Sequence, residues 1–89
     1  MSPANQSLQN AAQILDNLMR GPTPIALTEF SRALNMPKST VSRFLSTMES
    51  LGLVRRESES GKYYLGIRLF ELGCKAIDDI GFRKIAIPH

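Results

Sequence analysis

Between positions 38 and 47 the chain places Lys38, Ser39, Thr40, Ser42, Arg43, Ser46 and Thr47, with no carboxylate among them. Hydroxyls and cations in that density do no covalent chemistry without a base or a metal beside them. They can hydrogen-bond to base edges and phosphates, and an Arg pairs bidentately with guanine or phosphate. The residues between them are apolar. Val41, Phe44, Leu45, Met48 and Leu51 recur at i, i+3, i+4, i+7 and i+10, one face of a helix. Ser39, Ser42, Arg43, Ser46 and Ser50 take the other face. Solvated helix faces normally mix Glu, Lys and Gln, whereas small hydroxyls around one Arg let a helix approach another surface closely. This is the pattern of a helix that reads a DNA duplex from its major groove.

Little other chemistry is written into the chain. Cys74 and His89 are its one Cys and one His, so neither an internal disulfide nor a zinc site can be assembled within one chain. A lone Cys fits a reducing cytoplasm. Cys74 falls on an apolar stripe without a basic neighbour on its own face, so it is expected to pack rather than react. No carboxylate pair, nucleophile–base arrangement or Gly-rich phosphate loop is recognisable, and neither an enzyme nor a bound cofactor or metal is expected. No apolar run approaches the ~20 residues of a membrane span. Residues 1–6 have neither the basic stretch nor the apolar core of a secretory signal.

Positioning the 38–47 set requires neighbours, and the flanking residues supply them. Ser7 is a plausible N-cap for a first helix with Leu8, Ala11, Ala12, Leu15, Leu18 and Met19 on one face. Gly21, Pro22 and Pro24 stop it. A second helix runs from about Leu27 to Leu34, and Asn35-Met36-Pro37 turns the chain into the third. Gly52 closes the third helix, and the period then switches to that of strands. Residues 53–57 and 62–65 read as a hairpin around a turn at 58–61. Its arms carry Arg55, Arg56, Lys62 and Tyr63, which are expected to face phosphates or an adjacent minor groove.

After Gly66 the helical period returns over residues 67–80. Ile67, Phe70, Cys74 and Ile77 form one apolar stripe, and Leu69, Leu72, Gly73, Ala76 and Ile80 widen it. So broad a surface calls for two partners, the domain's own core and a second copy of the chain. The fold class that follows is mostly α with a small β hairpin, a winged helix-turn-helix followed by a further helix. Charge distribution agrees with a polyanionic partner. The 89 residues carry a net +3; residues 32–68 hold seven cations against three carboxylates, a net +4, and the other segments together come to −1.

Four ordered segments of this chain resemble the N-terminal DNA-binding domain of IclR-type bacterial transcriptional regulators. They are Leu34-Asn35-Met36-Pro37-Lys38-Ser39-Thr40-Val41-Ser42-Arg43-Phe44-Leu45, Leu51-Gly52-Leu53-Val54, Gly61-Lys62-Tyr63-Tyr64-Leu65-Gly66 and Leu69-Phe70-Glu71-Leu72-Gly73. The likeness runs from about Ser7 to Asp78. Asn35 stands where Gly is common at the turn and can adopt the same left-handed conformation; Ala26 replaces the usual polar cap.

The resemblance implies sequence-specific binding of double-stranded DNA by a cytoplasmic bacterial regulator, a repressor or an activator, working as a homodimer on an inverted-repeat operator. It divides the chain into a flexible tail at 1–6, a DNA-binding domain at 7–66 and a linker and dimerisation helix at 67–80. Within the domain the helix-turn-helix lies at about 27–51 and the wing at about 53–65. Residues 81–89 resemble a truncated lead-in to an effector-binding domain that is missing here, so a small-molecule effector would act only through that domain. Pairing falls to Leu69, Phe70, Leu72, Gly73, Ala76, Ile77 and Ile80. The competing reading is a winged helix used for protein–protein contact, which calls for an apolar or acidic recognition face.

Overall fold

The computed structural model describes residues 5–81. The expectations for residues 1–4 and 82–89 lie outside that range. Four helices and a two-stranded hairpin follow one another as α1 (Gln6–Arg20), α2 (Leu27–Leu34), α3 (Lys38–Ser50), β1 (Val54–Arg56), β2 (Tyr63–Leu65) and α4 (Ile67–Ile80). This is a winged helix-turn-helix with one additional helix, mostly α with a small β hairpin, as the sequence pattern implies.

Helix α1 begins earlier than Ser7. The Asn5 side chain accepts the Leu8 N–H at 3.0 Å and caps the helix, so Asn5 and Gln6 belong to α1 rather than to a tail. Its buried residues are Ile14 and Leu18, with Ala11 and Leu15 partly buried beside them. Leu8 and Met19, expected inside, are exposed. Seven apolar side chains spread over nearly half of this helix, and the packing against α2 and the wing selects the sector centred on Ile14 and Leu18.

The Ala26 side chain cannot cap α2. Glu29 instead reaches back to accept the Ala26 backbone N–H at 3.0 Å, a carboxylate that also suits the positive end of the helix. At the other end Asn35 takes the left-handed conformation (φ 54°, ψ 50°). The Met36 N–H then bonds the Ser31 carbonyl at 3.1 Å and the Asn35 N–H the Arg32 carbonyl at 3.3 Å, the Schellman arrangement. Helix α3 ends in the same way. Gly52 (φ 79°) lets Leu53 N–H reach the Met48 carbonyl at 2.9 Å and Gly52 N–H the Glu49 carbonyl at 3.0 Å.

The core joins all these elements except α4: Ile14, Leu18, Ile25, Phe30, Val41, Leu45, Met48, Val54 and Tyr63. Phe30 and Tyr63 meet edge to face with ring centroids 6.3 Å apart. Leu51, placed on the apolar stripe of α3 by its spacing, is exposed at the helix end. In the wing, β1 and β2 pair antiparallel in the register Val54↔Leu65, Arg55↔Tyr64 and Arg56↔Tyr63. Ile25 adds a third arm by exchanging two backbone hydrogen bonds with Tyr63, of 3.0 and 2.9 Å. That bridge locks the α1–α2 connection onto the wing.

Candidate nucleic-acid interface

Because Val41, Leu45 and Met48 are drawn into the core, the opposite side of α3 turns outward. Lys38, Ser39, Ser42, Arg43, Ser46 and Thr47 are exposed there and Thr40 is partly buried. Ser39, Arg43, Ser46 and Ser50 run down the middle of that face at i, i+4, i+7 and i+11. Thr40 and Thr47 lie on one flank. Together with Arg43, Phe44 and Ser7 they line a shallow hollow against the first turn of α1. Ser7, expected as a cap, is therefore an exposed hydroxyl beside the outward face of α3.

Electrostatics leave this surface unsatisfied. Among the described residues the one ion pair joins Lys75 and Asp79 on α4 at 3.0 Å. Lys38, Arg43, Arg55 and Lys62 thus have no carboxylate partner among the described residues to displace before meeting a polyanion.

The wing corrects one expectation. Tyr63 is only 9 % exposed and packs on Phe30, so its ring is a core side chain and cannot lie on a phosphate. Side chains alternate across a strand, and it is Tyr64 that faces outward with Arg55. The Arg55 guanidinium sits over the Tyr64 ring, 4.4 Å from its centroid. Lys62 is exposed on the same side. Arg56 points the other way and leans on its own turn, Nε donating to the Gly61 carbonyl at 3.4 Å. Ser60 donates to the Glu57 carboxylate at 2.6 Å and accepts the Lys62 N–H at 3.2 Å, which shapes the turn. The outward wing set is Arg55, Lys62 and Tyr64.

The model of the IclR helix-turn-helix domain matches residues 7–58. This chain belongs to the IclR family. The transcriptional regulator KdgR from Dickeya chrysanthemi is 55 % identical to it over 62 residues, which are 70 % of this chain and 20 % of KdgR. XynR of Escherichia coli (strain K12) is 34 % identical over 84 residues, 94 % of this chain and 33 % of its own length. The crystal structure of an IclR regulator from Alicyclobacillus acidocaldarius superposes with a TM-score of 0.82 at 34 % identity, covering 85 % of this chain and 31 % of that one. The chain spans a fifth to a third of the length of these relatives. It is an IclR-type helix-turn-helix DNA-binding domain, and the proteins it resembles are transcriptional regulators.

In this IclR domain α4 does not share the core. None of its residues is buried; Leu69, Gly73 and Ile77 are partly covered, while Phe70, Leu72, Cys74, Ala76 and Ile80 are exposed. The sequence pattern assigns one side of this helix to the domain's own core and Cys74 to packing. In the folded chain Ile67 is 71 % and Phe70 68 % exposed, so the domain's own core leaves most of this apolar surface uncovered. No helix among the described residues is long and apolar enough to cross a membrane.

Proposed function

We propose that this IclR domain recognises a specific duplex sequence with α3 in the major groove, and that two copies do so together in the bacterial cytoplasm. Lys38, Ser39, Thr40 and Arg43, on the first turns of α3, approach base edges and adjacent phosphates. Arg43 reads guanine, and Ser39 and Thr40 read edges or methyl groups. Ser42, Ser46 and Thr47 lie nearer the sugar–phosphate backbone, and Arg55 and Lys62 set the wing against phosphates. Leu69, Phe70, Leu72, Gly73, Ala76, Ile77 and Ile80 pair α4 with the same helix of a second copy. A two-fold pair imposes an inverted repeat on its site.

The observation that carries this reading is the outward face of α3, small hydroxyls around an Arg that no carboxylate neutralises. A winged helix serving protein contact would present an apolar or acidic face in that position. Electrophoretic mobility shifts at two salt concentrations, with and without excess unrelated competitor DNA, test the proposal. A complex that survives competitor is expected; a complex abolished by equal amounts of any duplex contradicts sequence specificity.

A further inference from the structure

Helix α4 leaves the domain at a joint formed almost wholly by backbone. The Gly66 N–H donates to the Leu53 carbonyl at 2.9 Å, and the Arg68 N–H donates to the Gly52 carbonyl at 3.1 Å. The Arg68 side chain then folds back so that Nη1 donates to the Leu51 carbonyl at 3.2 Å. Leu51 is the C-cap of α3 and Gly52 the residue after it, and the Leu51 carbonyl is among those that a helix C-terminus leaves without partners. Arg68 sits in the first turn of α4, whose amide N–H groups are equally without partners. The two helix ends therefore satisfy each other, the positive end of α4 and a guanidinium meeting the negative end of α3. Contact at the joint is close. A Cβ on Gly66 would collide with the Gly52 carbonyl oxygen, and one on Gly52 would lie 3.2 Å from the Arg68 Cβ. Beyond the joint α4 buries no side chain, so little else fixes its direction.

We propose that Arg68 is a positioning residue that locks the direction of α4 to the recognition helix, so that whatever grips α4 sets where α3 points. Arg68 itself does not touch DNA in this arrangement. Its consequence for DNA rests on the paired reading above: with the lock intact, two α3 helices are held at one separation and one relative orientation, and half-site spacing is discriminated. With the lock broken, each half still binds but the spacing is no longer enforced.

Two readouts test this, one of which needs neither DNA nor pairing. Cys74 is the single native cysteine, exposed on α4, and Ser39→Cys adds a second label site at the start of α3. Pulsed electron spin resonance between labels at these positions, in chain diluted with unlabelled protein, reports the angle of the joint. A narrow distance distribution is expected with Arg68 present. Arg68→Ala should broaden it at least about twofold, because a few hydrogen bonds and no buried side chain hold the helix. Arg68→Lys, which keeps a cationic donor, should restore part of the narrowing, and circular dichroism should show the same helix content in all three. An unchanged distribution in Arg68→Ala overturns the proposal.

The second readout is affinity, in chains that keep the native serine. Arg68→Ala should bind an isolated half-site within about twofold of the parent, as an exposed substitution outside the interface does. It should lose about tenfold on the full site and discriminate less between spacers lengthened by one to three base pairs, because simultaneous engagement depends on geometry. Equal losses on half-site and full site would make Arg68 a DNA contact and overturn its positioning role. A parent chain that shows no advantage for two half-sites refutes the pairing and leaves the resonance result to decide the joint.

Discussion

Arg43 is the long cation in the middle of the outward face of α3, and that position decides what its loss should do. Arg43→Ala is expected to weaken specific binding by ~1–3 kcal/mol and to relax preference at one base pair in each half-site. Equal weakening on unrelated duplexes, measured by anisotropy titration, would make Arg43 a phosphate contact instead. The adjacent tyrosines separate fold from interface. Tyr63→Ala removes a core ring packed on Phe30 and should destabilise the chain by ~3 kcal/mol in urea unfolding. Tyr64→Ala takes away only the half-buried, outward-facing ring under Arg55, so a loss below about 1 kcal/mol is expected. Similar losses in both variants would contradict the strand parity. Nothing in Lys62-Tyr63-Tyr64-Leu65 says which tyrosine faces inward. That depends on the Arg56↔Tyr63 register and on the Ile25 bridge, a contact between residues far apart in sequence that leaves no local period.

Individual elements carry their own tests. Arg55 and Lys62 lie on opposite arms of the wing and share its outward side. Arg55→Ala or Lys62→Ala should lower affinity for most sequences alike and flatten the log–log salt dependence by about one unit each. A slope unchanged in both variants would take the wing away from the phosphates. At the root of α4, Gly66→Ala should destabilise the chain by ~1–3 kcal/mol, since the added methyl would collide with the Gly52 carbonyl; a neutral effect on thermal unfolding would deny the close approach.

Helix boundaries were legible in the sequence wherever backbone chemistry marks them. Asn35 and Gly52 end α2 and α3 in left-handed conformations, and Gly66 with Gly81 brackets α4 at the expected 67–80. Which face of a helix is buried was legible only where the apolar stripe is narrow, as in α3. In α1 the stripe is wider and Ile14 lies at its edge, so spacing alone favours Leu8 and Met19, whereas tertiary packing buries Ile14 and leaves those two exposed. The breadth of α4 pointed correctly to an uncovered surface, but not to the core's leaving it almost wholly uncovered, because that depends on the direction in which the joint sends the helix.

For the molecule as a whole the proposed consequence is a pair. The apolar surface of α4 is one helix per chain, expected to fall below the ~1,200 Å² of a stable interface, so association without DNA should be weak, of order micromolar. Sedimentation should show monomers that pair as concentration rises, and two chains per duplex on the operator. A chain that stays monomeric at high concentration and binds a single half-site one to one would contradict the pairing. The central claim, that α3 reads sequence as one half of a symmetric pair, is tested most directly by selecting bound duplexes from a random library at physiological salt. Enrichment of an inverted repeat, with half-sites about 10 bp apart and a guanine in each that Arg43→Ala no longer selects, is the expected result. A recovered pool indistinguishable from the input, while binding itself persists, would contradict it.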